Sequence, residues 1–197
     1  MRYYPTFLNL VGKRVLLFGG GVVALRKAQA LSGAKARVTA ISKDFSEAFL
    51  RFAKRNGIKT EWGSHLPRSW RTFSLVIAAT SDPEFNRKIY RCAERANIFV
   101  NVVDDPKNST FIVPSSLKRG SLQIAVSTGG ASPLLAKLIR KKLSRQFGGK
   151  YSHLVTWLRK ERKKAKRLIA EQKEHQSHLQ KLIETRLRSL EKEALRK

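Results

Sequence analysis

The apolar residues of the first hundred positions fall into short runs separated by amphipathic stretches, a rhythm typical of alternating strands and helices. Five of these runs are short and contain β-branched residues, and they predict strands at 14–18, 36–41, 58–62, 74–79 and 98–103. The stretches at 22–32, 45–56 and 83–97 have the character of helices. Strands and helices that alternate at this spacing predict right-handed βαβ units around a parallel sheet.

The rhythm changes after Asp104. Two strands are predicted at 110–113 and 122–126, and Lys118-Arg119-Gly120 is expected to form the turn between them because no helix fits there. Ser132 and Pro133 favour the start of a helix, as N-cap and first helical residue, and this helix is predicted to end near position 147, before two glycines. Positions 151–197 contain neither proline nor glycine and predict helix in two pieces.

These patterns predict an α/β fold in three parts. A Rossmann-type parallel sheet occupies 1–109, a small α+β region occupies 110–147, and a basic helical region occupies 148–197.

The composition is that of a globular protein with a substantial core. The 197 residues are 42% hydrophobic, which excludes a disordered chain. No apolar run approaches the roughly 20 residues that span a bilayer, and the first residues lack the pattern of a signal peptide. The single cysteine, Cys92, excludes an internal disulfide. A cytoplasmic protein without membrane contact is therefore expected.

The net charge of +27 is the unusual feature of the composition. Positions 1–147 contain 26 basic and 8 acidic side chains, and positions 148–197 contain 15 basic and 6 acidic side chains. The charge therefore covers the whole chain and is not confined to a tail. Such a balance predicts a polyanionic partner, which could be nucleic acid, an anionic membrane or an acidic small molecule.

The glycines at positions 19–21 carry the clearest chemical signal. Gly19, Gly21 and Ala24 fit the dinucleotide fingerprint G-x-G-x-x-A, with a predicted strand before the glycines and a predicted helix after them. In that pattern the first glycine allows a tight turn, the second lets the backbone approach a pyrophosphate, and the small third residue keeps the helix close to the strand. The helix N-terminus then favours the negative charge of the phosphates.

An acidic residue at the end of the second strand is expected to hold the ribose hydroxyls in this class of site. Here the strand is followed by Lys43 and then Asp44, slightly later than the pattern requires. Asp44 is a candidate ribose ligand, and N-capping of the second helix is the alternative that the sequence favours. Lys43 leaves a preference for NADP open.

Several further stretches, in order along the chain, resemble the precorrin-2 dehydrogenase/sirohydrochlorin ferrochelatase family, whose members are single enzymes or the N-terminal part of siroheme synthase. The resemblance covers about residues 3–146 and rests on YPTFL at 4–8, GGGVVALRK at 19–27, AATSDP at 78–83 with Asn86, NVVDDP at 101–106, FIVPS at 111–115 and STGGASPLLA at 127–136.

The resemblance implies an NAD-binding Rossmann domain, a dimerisation region at 110–147 with strands exchanged between protomers, and a helical C-terminal region. It implies a homodimer that uses NAD to oxidise precorrin-2 to sirohydrochlorin. Asp104 corresponds to the key acid of the family. The implied cofactor-binding residues are Gly19, Gly20, Gly21, Val22, Val23, Lys43, Asp44 and Thr80, and the implied substrate-binding residues are Ser127, Thr128, Gly129 and Gly130.

Elementary chemistry gives these residues roles, each beside a simpler alternative. Asp104 follows the fifth strand and is the candidate general base, while a turn aspartate ahead of Asp105 is the alternative. The polar loop at 127–130 is suited to receive substrate carboxylates through backbone N–H groups, while a plain connection capped by Ser132 is the alternative. Precorrin-2 carries eight carboxylates, so a basic cleft is expected, and its candidate residues are Arg26, Lys27, Arg119 and Lys137.

Two other functions stay open. A bifunctional dehydrogenase and ferrochelatase is the nearer one, and a fused methyltransferase half is not expected at this length. A nucleic-acid-binding protein is the alternative from a different class, although no stacking platform or recognised nucleic-acid motif supports it. His175 and His178 lie three residues apart, but no further ligands complete a metal site, and none is expected.

Overall fold

The computed structural model of the chain describes residues 3–168 and 172–195. It divides into two compact units, Met1–Val113 and Pro114–Lys197. Each unit is described by itself below. The division of the chain into three parts at 109 and 147 stays a prediction.

The first unit has the predicted Rossmann-type architecture. Its strands are β1 (Arg14–Phe18), β2 (Arg37–Ser42), β3 (Lys59–Trp62), β4 (Leu75–Ala78) and β5 (Phe99–Val102), and they form one parallel sheet in the order β3-β2-β1-β4-β5. The helices of this unit are α1 (Val22–Gly33), α2 (Glu47–Asn56) and α3 (Pro83–Arg95). Strands and helices all lie within two residues of their predicted ends, and the predicted fold class is confirmed.

The core of this unit lies on both faces of the central strand β1. Val15 and Leu17 are fully buried in the cluster that includes residues of α1 and α2. Leu16 and Phe18 are fully buried in the cluster on the opposite face, which includes residues of α3. Burial on two faces explains why this strand has a continuous apolar run instead of an alternating one.

Helix caps set the ends of α2 and α3. The Ser46 hydroxyl accepts a hydrogen bond from Phe49 N at 3.2 Å, and Gly57 ends α2 with φ of 64°. The capping role that the sequence favoured for Asp44 is therefore wrong, because the helix starts later and Ser46 takes that role. Asp82 caps α3, ahead of Pro83 at the first helical position.

The second unit contains a two-stranded antiparallel hairpin and three helices. Its elements are β6 (Ser115–Arg119), β7 (Leu122–Val126), α4 (Pro133–Gln146), α5 (Lys150–Leu168) and α6 (Gln172–Leu195). The start of α4 at Ser132-Pro133, the break at the two glycines and the two helical pieces that follow are as predicted. No helix among the described residues is both long enough and apolar enough to cross a membrane.

The strand predicted at 110–113 is wrong, and the first hairpin strand is β6 instead. Thr110 N donates to Val100 O at 2.8 Å, and the side chain of Asn101 donates to Phe111 O at 3.1 Å. The segment is therefore bound to β5. The turn also differs from the prediction, because Arg119 pairs with Leu122 and leaves Gly120, at φ of 60°, to turn the chain with the next residue.

Candidate functional site

The carboxyl ends of four parallel strands bring the candidate residues of the first unit to one edge of the sheet. Phe18 of β1 is in register with Ile41 of β2 and Ala78 of β4, and Ala78 is in register with Val102 of β5. The segments that follow these strands therefore meet at that edge. They contain Gly19, Gly20 and Gly21 after β1, Lys43 and Asp44 after β2, Thr80 after β4, and Asp104 after β5. Open α/β sheets bind ligands at this edge.

The three glycines, here called the glycine loop, are needed for different reasons. A β-carbon on Gly19, whose φ is 114°, would lie 2.4 Å from Ala79 O. A β-carbon on Gly20 would lie 2.2 Å from Asp44 O. Gly21 has a φ of −85°, and a β-carbon there would meet nothing within 4 Å. Gly19 and Gly20 thus permit close backbone packing, while Gly21 leaves the space in front of α1 open.

The N-terminus of α1 has the properties of an anion site. Gly21 is its N-cap and supplies no side-chain cap, and the first turn contains no acidic residue. The N–H groups of a first helical turn and the helix dipole favour a phosphate. Val22 and Val23 are 63% and 42% exposed, whereas Ala24 is fully buried against the sheet as the fingerprint requires. The residues present therefore fit a dinucleotide.

Lys43 and Asp44 follow β2, the strand after which a dinucleotide site is expected to hold the ribose. Both are exposed and follow the end of β2, and Ser42 Oγ donates to Asp44 O at 2.7 Å. This hydrogen bond fixes the backbone beside Gly20. Their roles in choosing between NAD and NADP stay predictions.

Thr80 is held by contacts within the turn between β4 and α3. Its hydroxyl donates to Asn86 Oδ1 at 2.7 Å, and Asn86 Nδ2 donates to Thr80 O at 3.0 Å. Asn86 is only 8% exposed. The hydroxyl donor of Thr80 is therefore already used within the protein. Asn86 orders this segment, a role that its place in the sequence motif does not reveal.

The structure distinguishes the two adjacent acids of the turn after β5. Asp105 accepts hydrogen bonds from Lys107 N and Asn108 N, both at 3.2 Å, and from Asn108 Nδ2 at 2.6 Å. The side-chain hydrogen bond from Asn108 is the main reason that the pKa of Asp105 is lowered. Asp105 thus closes the loop at 105–108. Asp104 lies in the turn just before it, where Asp105 N donates to Val102 O at 3.2 Å, so a turn role for Asp104 stays open beside its predicted role as a base.

Asp104 differs from Asp105 in backbone and surroundings. It is exposed and has a φ of 60°, in the left-handed region, and no hydrogen bond reaches its carboxylate from the part of the chain that is described. Its charge acts on Lys27 of α1, which is half-buried. Burial lowers the pKa of Lys27, and the negative charge of Asp104 opposes that change. Asp104 thus presents an accessible carboxylate whose charge acts on the helix that follows the glycine loop.

In the second unit, hydroxyls shape the loop between β7 and α4. Ser127 Oγ accepts from Gly129 N at 3.1 Å, and Thr128 Oγ1 accepts from Ser132 N at 3.0 Å. Gly129 and Gly130 have φ of 64° and 93°. Ser132 caps α4 by accepting from Leu135 N at 3.1 Å. The predicted cap is confirmed, and substrate binding by this loop stays a prediction.

The four basic residues named as candidates for a basic cleft have different surroundings. Arg119 Nε donates to Phe147 O at 3.0 Å, and Arg119 Nη2 donates to Ser144 Oγ at 2.9 Å. Arg119 therefore binds the end of α4. Arg26 and Lys137 are exposed, and Lys27 is half-buried.

The described residues contain no group of three or more His, Cys, Asp and Glu that could hold a metal ion. His178 is exposed, and the side chain of His175 lies outside the described part of the structure.

Comparisons with known proteins agree with this arrangement. Residues 6–115 match a family described as putative NAD(P)-binding, and residues 119–146 match one described as the central part of sirohaem biosynthesis proteins. A siroheme synthase 2 of Aeromonas hydrophila is 41% identical over 170 residues, which are 86% of this chain and 36% of that protein. One of Yersinia pseudotuberculosis is 37% identical over 183 residues, 93% of this chain and 39% of that protein. The chain thus spans about a third of the length of these curated relatives.

The fold is shared with a solved structure, SirC, precorrin-2 dehydrogenase. The TM-score is 0.75 and the sequence identity is 24%, and the match covers 92% of this chain and 89% of that one.

Proposed function

This chain belongs to the putative NAD(P)-binding family and carries the central segment of sirohaem biosynthesis proteins, and we propose that it is an NAD-dependent dehydrogenase that oxidises precorrin-2 to sirohydrochlorin. The family predicted from the sequence motifs is confirmed, and so is a nicotinamide nucleotide as the cofactor. One observation carries the proposal: an open helix N-terminus behind Gly21 and an exposed acid, Asp104, follow strands β1 and β5 at the same sheet edge.

Different residues bind the nucleotide and accept the proton in such a reaction. NAD supplies the hydride acceptor when it is bound. The glycine loop and the first turn of α1 hold the pyrophosphate, and Asp44 and Lys43 contact the ribose end. Oxidation of precorrin-2 removes one hydride and one proton, so the protein must accept the proton. Asp104 accepts it on its carboxylate and releases it to solvent, to which it is exposed.

The strongly basic chain suits a substrate with eight carboxylates, because a positive field raises the local concentration and association rate of an anion. We propose that Ser127, Thr128, Gly129 and Gly130 contact substrate carboxylates. The exposure of Ser127, Gly129 and Gly130 supports this role.

An exposed apolar face on α4 supports the proposed homodimer. Leu134, Leu135, Leu138 and Ile139 are 66%, 48%, 54% and 37% exposed. Their spacing places them on one side of the helix. Contiguous exposed apolar residues mark interaction surfaces, and we propose that this face meets its copy in a second protomer. Exchange of strands between protomers stays a prediction.

An anaerobic absorbance time course with enzymatically generated precorrin-2 and NAD or NADP tests the function. The wild-type protein should form sirohydrochlorin only when nucleotide is present, and Asp104→Ala should reduce turnover by roughly 10²- to 10⁴-fold, the range for loss of a general base. Unchanged turnover in the variant would keep the dehydrogenase but remove Asp104 as its base. A folded wild-type protein that is inactive with either nucleotide would overturn the proposal.

Additional ferrochelatase activity is the alternative within the same enzyme family. Adding ferrous iron to sirohydrochlorin in the same cuvette, with and without protein, tests it. Siroheme that forms faster with protein than without it would establish a bifunctional enzyme.

One feature favours a polyanion-binding function as a second candidate. Seven of the nine residues at 159–167 are basic and exposed. The other two are Glu161, which forms an ion pair within the helix, and Ala165, which is buried. Ala165 is 3% exposed, and Glu161 binds Lys164 at 3.0 Å. Binding of a plain DNA duplex that weakens steeply with salt would support this candidate. Absence of binding at low salt would exclude it.

A further inference from the structure

Ser109 is a buried hydroxyl directly beside the turn that holds Asp104. It is only 6% exposed. Its Oγ accepts a hydrogen bond from Val102 N at 2.9 Å and donates to Asp105 O at 2.8 Å. Val102 O lies 3.2 Å from the same hydroxyl and also accepts from Asp105 N at 3.2 Å.

These hydrogen bonds bracket Asp104 on both sides. Val102 ends β5 before Asp104, and Asp105 follows Asp104 immediately, so one side chain connects the strand to the far side of the turn. Asp104 itself has a φ of 60°. Residues other than glycine adopt the left-handed region at an energetic cost, and they stay there only where the surroundings enforce it.

The other side of the turn is held separately. The carboxylate of Asp105 accepts two backbone hydrogen bonds and one from the Asn108 side chain, which closes residues 105–108 into a compact loop. Ser109 therefore joins an ordered loop to an ordered strand. The residue left between them with an exposed carboxylate is Asp104.

We propose that Ser109 is a positioning residue for Asp104: its buried hydroxyl holds the backbone on both sides of that acid and thereby aims the carboxylate. The proposal deepens the proposed function and rests on it, since it assumes that Asp104 accepts the proton. Small displacements of a reacting group reduce rates strongly, by up to about 100-fold for 1 Å. Nothing in the sequence distinguishes this serine from other loop serines.

The chain offers a matched control for a merely structural role. Thr110, the next residue, has a hydroxyl that accepts from Val100 N at 2.8 Å and lies 3.2 Å from Val100 O. It thus makes the same pair of contacts to β5, two residues before Val102, without touching the turn that contains Asp104. Thr110→Ala removes a comparable strand contact and should leave the acid in place.

The experiment compares Ser109→Ala with Thr110→Ala in the anaerobic dehydrogenase assay, with thermal unfolding of each variant. Ser109→Ala should lower kcat by about 10- to 100-fold with the KM for NAD changed less than about twofold. Thr110→Ala should lower the melting temperature while kcat stays within about twofold of wild type.

A double-mutant cycle shows whether Ser109 acts through Asp104. In an Asp104→Ala background, Ser109→Ala should have no further effect on the residual kcat. Equal losses of kcat in Ser109→Ala and the control Thr110→Ala would overturn the proposal. So would a further loss when Ser109→Ala is added to Asp104→Ala. If Ser109→Ala does not fold, Ser109→Cys replaces it in the comparison, because cysteine has a similar size but forms only weak hydrogen bonds. Ser109→Thr keeps the hydroxyl and should therefore keep turnover close to that of the wild-type protein.

The outcomes also separate this inference from the proposed function. A folded wild-type protein without turnover overturns both. An active wild-type protein that loses turnover in Asp104→Ala, but not in Ser109→Ala or Ser109→Cys, overturns the inference alone.

Discussion

The negative charge of Asp104 raises the pKa of Lys27, against the effect of burial, although 77 positions separate the two residues along the chain. Lys27 belongs to α1, the helix that starts at the glycine loop, and Asp104 follows β5. The interaction therefore links the candidate nucleotide site to the candidate acid. It provides a test of the site that does not depend on turnover.

We expect Asp104→Asn to lower the pKa of Lys27 further, because burial already lowers it and only the charge of Asp104 opposes that effect. Titration of the Lys27 side chain by carbon-13 NMR measures this change. Asp105→Asn is the control, because Asp105 does not contribute to the pKa of Lys27. A Lys27 titration that responds equally to both substitutions would contradict the placement of Asp104.

The same pKa predicts how stability depends on pH. The unfolded chain keeps the Lys27 proton up to its ordinary pKa of 10.5, whereas the folded chain releases it at lower pH. The unfolded state thus binds more protons between the two values, so this group makes the free energy of unfolding rise with pH across that window. Lys27→Met should remove this contribution, and denaturant unfolding of both proteins between pH 7 and about 10.5 measures it.

Gly20→Ala and Gly21→Ala should separate folding from nucleotide binding. A β-carbon on Gly20 would clash with the Asp44 and Phe45 backbone, so we expect destabilisation of roughly 1–3 kcal/mol from overpacking. A β-carbon on Gly21 meets no protein atom within 4 Å, and its φ suits alanine. Gly21→Ala should cost less than about 1 kcal/mol in stability while NAD affinity falls at least tenfold.

Thermal unfolding and titration of NAD by fluorescence measure the two effects. Undiminished NAD affinity in a folded Gly21→Ala protein would exclude the space before α1 as the pyrophosphate site.

Asp44→Ala and Lys43→Ala should change the nucleotide preference in opposite directions. Loss of a hydrogen bond to a charged group costs about 1.5–3 kcal/mol, so Asp44→Ala should weaken NAD binding by at least tenfold and NADP binding less. Lys43→Ala should weaken NADP binding more than NAD binding, since a 2′-phosphate needs a cation. The dissociation constants of NAD and NADP, measured for both variants, test this prediction. If each variant loses the same affinity for NAD as for NADP, these roles are contradicted.

If the proposed dimer forms through α4, Leu138→Glu should convert it to a monomer without unfolding the chain, because Leu138 is 54% exposed on the apolar face of that helix. A buried, unpaired charge at an interface costs several kcal/mol, which is sufficient to dissociate it. Lys137→Glu is the control, since this exposed neighbour lies off the apolar face. Sedimentation velocity of the three proteins measures the association state. A Leu138→Glu protein that is still dimeric would place the interface elsewhere.

The amino-acid sequence by itself determined the strands, the helices and the nucleotide fingerprint of the first unit. Strand β1 and helix α1 were predicted almost to the residue, because a strand buried on two faces and a helix after glycines leave local, periodic signals. The family motifs then predicted the reaction and, as its base, Asp104.

Only the tertiary structure decided which partner each polar group takes. Thr110 and Phe111 have strand-like character, yet they bind the edge of β5, so the predicted strand at 110–113 does not form. Asp104 and Asp105 are chemically identical neighbours, and only the contacts from Lys107 and Asn108 show that Asp105 closes the loop at 105–108. Hydrogen bonds between distant segments depend on position in space, and hydrophobic periodicity carries no information about them.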